Sequence, residues 1–143
     1  MAGLENLYRQ VIMDHYKNPR NKGLLQEEGY KTIHIKNPTC GDDITIQSKI
    51  KDGIVEDVRH DGTGCSICCS SASVMSEVIK GKTVEHASEI KDAYLNMLSN
   101  KPYDEEIELE DAIAYQGVRQ FPARTKCASI AWKALEGTIE ESE

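Results

Sequence analysis

The run Asp61-Gly62-Thr63-Gly64-Cys65-Ser66-Ile67-Cys68-Cys69-Ser70-Ser71 constrains this chain more than any other stretch, because it joins a pair of glycines to the densest group of thiols. Glycine opens backbone angles closed to other residues, so Gly62 and Gly64 let a strand turn sharply and pass straight into a helix. Cys65 then stands at the helix start, where exposed N–H groups and the positive end of the helix dipole favour thiolate over thiol. The thiolate is the form that binds metal or attacks sulfur.

The flanking sequence predicts the elements on either side of that turn. Leu4, Tyr8, Val11, Ile12 and Tyr16 recur at helical spacing up to Asn18-Pro19, where proline biases the preceding residue away from helix. Tyr30 to Lys36 alternates with Ile33 and Ile35 on one face until Asn37-Pro38-Thr39 breaks it. Ile44, Ile46 and Ile50 alternate again, Asp52-Gly53 signals a two-residue hairpin, and Ile54 to Asp61 is the return strand. Beyond Ser70, the residues Ser71, Met75, Val78 and Ile79 fit a helix stopped by Gly81. Thr83 begins another, carrying Ala87, Ile90, Tyr94, Met97 and Leu98. The acidic stretch from Asp104 to Asp111 reads as a solvated linker and helix start, with an acidic docking surface as its alternative. Gly117 and Pro122 are expected to break the chain before a last helix with Cys127, Ile130, Ala131, Ala134 and Leu135 on one face.

Composition removes several function classes. At 143 residues the chain is expected to form one domain, 1–143, with no internal repeat or low-complexity linker. Acidic residues outnumber basic ones, 24 to 17, and no long basic run exists, which disfavours a nucleic-acid partner. No apolar stretch approaches the ~20 residues of a membrane span. The opening Met1-Ala2-Gly3-Leu4-Glu5 lacks the features of a secretory signal, so a cytoplasmic protein without a membrane partner is expected. Five cysteines in a reducing compartment are better explained by metal or thiol chemistry than by disulfides.

Cys40, Cys65 and Cys127 occupy three junctions: a loop after a strand, a strand-to-helix turn and the beginning of the last helix. Junctions can converge at one end of a fold, and three thiolates with one oxygen or nitrogen would complete a tetrahedral zinc site. Asp42, two residues from Cys40, is the nearest candidate for the fourth position. Such a site would carry a net charge near −2, which Arg124 and Lys126 beside Cys127 are placed to offset. On spacing alone, three readings stay open: a structural zinc site, a functional metal or sulfur site, and a redox dithiol formed by the C-x-x-C of Cys65 and Cys68. Cys68 and Cys69 read first as packing residues. Of the four histidines, His60 is the best placed, being near Cys65, yet each reads first as a packing or surface residue. Ser66, Ser70, Ser71 and Ser73 read as acceptors that satisfy free N–H groups at a helix start, and no Ser-His-Asp arrangement emerges from spacing.

Four segments together carry a resemblance: Leu7 to Asn21 (LYRQVIMDHYKNPRN), Asn37-Pro38-Thr39-Cys40-Gly41-Asp42, Gly62-Thr63-Gly64-Cys65-Ser66-Ile67 and Phe121-Pro122-Ala123-Arg124-Thr125-Lys126-Cys127. In this order they closely resemble the SufU branch, the zinc-containing part of the IscU-like (NifU N-terminal) iron–sulfur cluster assembly family. The scaffold members typically carry histidine immediately before the last cysteine, where this chain has Lys126, and Gly117 to Arg124 resembles the insertion that marks the SufU branch. The resemblance implies an α+β fold of the SufE/IscU-like kind, with a three-stranded antiparallel sheet covered by helices on one side. It implies zinc on Cys40, Asp42, Cys65 and Cys127, and sulfurtransferase activity in which Cys40 accepts sulfur with Arg124 organising the site. The implied partners are a pyridoxal-phosphate cysteine desulfurase of the SufS type and a downstream iron–sulfur scaffold or thiol acceptor. In the family, a histidine of the desulfurase is thought to replace the matching cysteine on zinc and free it for transfer. The alternative implied function is a scaffold on which an iron–sulfur cluster is assembled by the same cysteines. Cys68 and Cys69 depart from the family, which more often has serine, methionine or alanine there.

Overall fold

The start of the second strand and the end of the third meet at one end of a three-stranded antiparallel sheet whose strands lie side by side in chain order. The computed structural model describes residues 2–37 and 41–142. In chain order the elements are α1 (Ala2–Lys17), β1 (Tyr30–Asn37), β2 (Asp42–Lys51), β3 (Ile54–Thr63), α2 (Ser66–Ile79), α3 (Val84–Leu98), a 3-10 helix (Glu110–Gln120) and α4 (Pro122–Ser142). The α+β class expected from the resemblance is the one observed.

The hairpin sets the register. Asp52 and Gly53 both adopt positive φ, 53° and 75°, the pair of left-handed residues that a tight turn matched to strand twist requires. Pairing from this turn puts Ile46 opposite His60, Ile44 opposite Gly62 and Asp43 opposite Thr63. Partners across an antiparallel pair share a face. Ile33, Ile35, Ile44, Ile46, Ser48 and Val58 therefore face one side together, where α4 covers β1 and β2 and α2 covers β3. Ser48 hydrogen-bonds Thr138 of α4 at 2.8 Å, and a Cβ at Gly137 would sit 3.2 Å from Ile33. On the opposite face, the segment after α1 crosses the sheet. Gln47 brackets the backbone of Leu25 with two hydrogen bonds of 2.9 Å, and Arg59 Nε donates to the Gly23 carbonyl.

Between the sheet and the outer helices the core is closed by α2, α3 and α4. Trp132 stacks on Tyr94 with ring centroids 4.1 Å apart, and Tyr115 meets Tyr94 edge-on. All three rings are fully buried. Thr83 caps α3 by accepting the His86 N–H, as its position predicts.

The 3-10 helix departs from expectation. Gly117, expected as a break, lies inside it, and the acidic stretch leads directly into it. Leu109, Ala112, Tyr115 and Val118 are all buried at intervals of three residues. A 3-10 helix aligns positions i and i+3 on one face, so this run buries a narrow apolar stripe that a 3.6-residue period does not pick out.

Candidate metal centre

Three of the residues singled out in the sequence come together at the sheet end: Asp42 opens β2, Cys65 caps α2, and Cys127 lies in the second turn of α4. One ligand atom from each lies within 4.8 Å of the others. Asp42 and Cys127 are buried while Cys65 is exposed, so the cluster has one open side. Cys40, the fourth expected ligand, lies outside the described residues, between Asn37 and Gly41.

Asp42 and Cys65 meet because the register of β2 and β3 leaves no alternative at that end. Asp42 continues the inward face of Ile44 and Ile46, and its Oδ1 accepts the Cys65 N–H at 3.0 Å. The two glycines permit this approach for different reasons. Gly62 adopts φ +138°, and a Cβ there would lie 2.0 Å from the Asp43 carbonyl oxygen. Gly64 is not in the left-handed region; a Cβ there would collide with Asp42 Oδ1 at 2.5 Å. Only the first is a matter of backbone freedom, which the sequence reading assigned to both.

Cys65 holds an extended conformation at the N-cap, φ −70° and ψ 167°, and its Sγ accepts the Cys68 N–H at 3.4 Å. The cysteine thus does the work that a serine or aspartate does at most helix starts. Ser70, Ser71 and Ser73 do not cap the helix, contrary to the sequence reading; they are fully buried and reach other elements. Ser71 Oγ donates to the Ala128 carbonyl at 2.7 Å, Tyr94 Oη donates to the same carbonyl at 2.9 Å, and Trp132 Nε1 donates to Ser71 Oγ. Two hydroxyls on the residue after Cys127 fix α4 against α2 and α3, and with it the backbone that carries Cys127. Tyr115 Oη donates to Ser70 Oγ at 2.6 Å and ties the 3-10 helix to the same stretch of α2. These partners lie far apart in sequence, so no spacing rule reveals them.

The site also fits a cation. Asp42 is fully buried, and its Oδ2 has no hydrogen-bond partner among the described residues. An orphaned carboxylate oxygen of this kind costs roughly 1–3 kcal/mol or more unless a ligand satisfies it. Two sulfurs and one oxygen are the donor types that zinc accepts.

The remaining candidates separate from this cluster. Cys68 is buried in the core, as expected for a packing residue. Cys69 is half-buried; its Sγ–H donates to the Gly64 carbonyl at 3.6 Å, and burial pushes its thiol up from the ordinary range. His60 Nε2 donates to the Arg20 carbonyl at 2.7 Å, and burial lowers its affinity for a proton. That nitrogen holds the segment after α1 in place. Arg124 lies 5.2 Å over the Phe121 ring, on the turn before Cys127.

His15 forms a second cluster that sequence reasoning did not find. Its Nε2–H donates to Asp111 at 3.1 Å, Glu77 lies 3.8 Å away, and its Nδ1 shares a 2.8 Å hydrogen bond with Ser73. Ser73, His15 and Asp111 thus form the sequence of contacts seen in hydrolases, yet Ser73 is fully buried and its Oγ already accepts the Arg20 N–H. No substrate reaches it. The cluster clasps α1 and the 3-10 helix onto α2.

Comparison with known proteins agrees with this architecture. The family described as the NifU-like N terminal domain matches residues 7–128. The chain is 50% identical over 142 residues to a Bacillus subtilis (strain 168) protein named zinc-dependent sulfurtransferase SufU, covering 99% of this chain and 95% of that one. It is 35% identical to the iron–sulfur cluster assembly scaffold protein IscU of Streptococcus pyogenes serotype M1, over 99% of this chain and 88% of that one. The N-terminal part of a nitrogen-fixing NifU-like protein from Brucella abortus superposes with a TM-score of 0.84 at 26% identity, covering 96% of this chain and 95% of that one. The chain belongs to the family of NifU-like N-terminal domains.

Proposed function

We propose that this chain is a zinc-dependent sulfur acceptor. In this reading Cys40 takes sulfur from the persulfide of a pyridoxal-phosphate cysteine desulfurase of the SufS type and passes it to a thiol or scaffold in iron–sulfur assembly. Cys40, Asp42, Cys65 and Cys127 hold the metal. The observation that carries the reading is the convergence of Asp42, Cys65 and Cys127 within 4.8 Å around a buried carboxylate oxygen that has no hydrogen-bond partner among the described residues. The relative named a zinc-dependent sulfurtransferase, at 50% identity, supports it.

Zinc bound there would keep its cysteine ligands as thiolates at neutral pH. The chain's own groups do the rest. The Cys40 thiolate attacks the outer sulfur of the donor persulfide; a new S–S bond forms on Cys40, the donor's S–S bond breaks, and the donor cysteine departs as thiolate. The Cys65 N–H holds Asp42 by its Oδ1 and leaves Oδ2 without a hydrogen-bond partner among the described residues. Arg124 and Lys126, just before Cys127, offset the negative charge of the ligand set. Among the described residues no helix is long and apolar enough to cross a membrane.

The scaffold reading keeps a specific support, the IscU relative at 35% identity. Elemental analysis of the untagged protein and its stimulation of desulfurase turnover, with Cys40 intact or changed to alanine, separate the readings. Zinc with Cys40-dependent stimulation is the expected result. Iron with labile sulfide and no stimulation would assign the scaffold. A Cys40→Ala protein that unfolds, with no specific loss of transfer, would leave a structural zinc site.

A further inference from the structure

A groove of about 460 Å³ opens beside the metal centre, between α1, the start of α2, the 3-10 helix and the start of α4. Its walls are apolar, formed chiefly by Ile12, Met13, Ile67, Val118 and Phe121, the last 50% exposed. Its charged lining residues are Arg9 and Arg124, and no carboxylate lines it. Among the described residues neither guanidinium makes an ion pair. In a chain with 24 acidic and 17 basic side chains, an acid-free apolar groove flanked by two unpaired arginines is a local reversal of the surface charge.

We infer that this groove docks the sulfur-donating protein through a segment in which a carboxylate flanks an apolar side chain. The inference rests on the sulfur-acceptor reading above. An arginine beside an apolar wall binds carboxylate in a fixed, bidentate geometry, and an apolar side chain seated in a pocket is the usual anchor of a protein contact. The position suits delivery: Ser66 and Ile67, immediately after Cys65, form one end of the groove, and Arg124 lies one helical turn before Cys127. A partner seated there touches two of the elements that present ligands. Arg9 is a specificity determinant in this view. It is exposed on α1, is not among the candidate ligands and makes no described hydrogen bond, so changing it leaves the fold intact.

The test uses the metal-loaded protein, a purified pyridoxal-phosphate cysteine desulfurase as probe, and the variants Arg9→Glu and Lys51→Glu. Lys51 is the charge-matched control, since nine strand steps separate it from Asp42, roughly 30 Å at the usual rise. Arg9→Glu is expected to raise the concentration giving half-maximal stimulation roughly tenfold or more, and Lys51→Glu to change it less than about twofold. Metal content should be the same in all three. Phe121→Ser, which removes the exposed ring, is expected to act in the direction of Arg9→Glu. Arg9→Glu behaving like Lys51→Glu, with wild-type transfer intact, overturns the docking assignment and leaves the sulfur reading standing. A wild-type protein that stimulates nothing overturns both. A change in oligomer mass on Arg9→Glu, without a change in half-maximal concentration, gives the groove to a second copy of this chain and also overturns the assignment.

Discussion

Gly64→Ala isolates the contact on which the metal centre is built. The added Cβ would lie 2.5 Å from Asp42 Oδ1 and 3.2 Å from its Cγ, so the carboxylate must retreat roughly 0.9 Å to reach ordinary contact at 3.4 Å. A retreat of that size breaks the 3.0 Å hydrogen bond from the Cys65 N–H. A bond to a buried carboxylate contributes about 1.5–3 kcal/mol. Against this, alanine restricts the unfolded chain and returns about 0.4–1 kcal/mol, because Gly64 does not need a left-handed conformation. The net expectation is a loss of about 1.5 kcal/mol, or roughly 3–6 °C in Tm for a chain of this size. The decisive measurement repeats the substitution in an Asp42→Ala background. There the nearest remaining atom is the Asp42 Cα at 3.4 Å, an ordinary contact. Gly64→Ala should then become neutral or stabilising by about 0.5 kcal/mol, a reversal of sign. Urea unfolding in the presence of chelator, monitored by the fluorescence of the single tryptophan, Trp132, reads both stabilities without linkage to metal. Equal costs in the two backgrounds would show that the Asp42 carboxylate is not what excludes a side chain at position 64.

His15→Ala removes the imidazole that bridges Ser73 and Asp111 and leaves a cavity between α1 and α2; a loss of about 3 kcal/mol in urea unfolding is expected, and a loss below about 0.5 kcal/mol would refute the clasp. Tyr30 has its phenol pushed up to about 12 by burial and by its hydrogen bond to Asp57, whose negative charge opposes ionisation. Since the folded value exceeds the unfolded one near 10, the contribution of this pair is complete below about pH 10 and is lost as pH rises toward 12. Comparing the alkaline unfolding of the wild type with that of Tyr30→Phe checks the sign: the phenylalanine variant should lose less stability across that window.

The strands and the longer helices were legible because their signals are local. Asp52-Gly53 dictates its turn, Thr83 its cap, and Asn18-Pro19 the end of α1, each through the conformations those residues allow within a few positions. The candidate ligands Asp42, Cys65 and Cys127 were legible for a related reason, since each sits where one element ends and another begins. The features that escaped were non-local or of unfamiliar period. Leu109, Ala112, Tyr115 and Val118 recur every three residues, so the acidic stretch reads as a linker and helix start, and what escapes is that the helix is 3-10 and runs through Gly117. Ser71 looked like part of a helix start, and only the folded chain reveals that it grips Ala128 across 57 positions. His15 gave no signal, because neither Ser73 nor Asp111 is near it in sequence.

These missed contacts explain how the fold tolerates the metal centre. A fully buried carboxylate with one oxygen unpartnered among the described residues is a local cost. Among the described residues the one hydrogen bond to the Asp42 carboxylate comes from the Cys65 N–H, across the sheet end. Rigidity therefore comes from behind the site. Ser71 anchors α4 at Ala128, Tyr115 anchors the 3-10 helix at Ser70, and His15 anchors α1 at Ser73, so each of these three hydrogen bonds has one end on α2. Tyr94 of α3 shares a hydrogen bond with Ser71 and donates to the same Ala128 carbonyl. The helix that Cys65 caps is thus the common support of the elements around it. The three candidate ligand residues are presented by three elements whose relative positions are already set, so the entropy of assembling them is met by folding rather than by binding. A cation entering such a site need only satisfy Asp42 and the thiols, which is why a carboxylate so costly to bury can persist in the sequence.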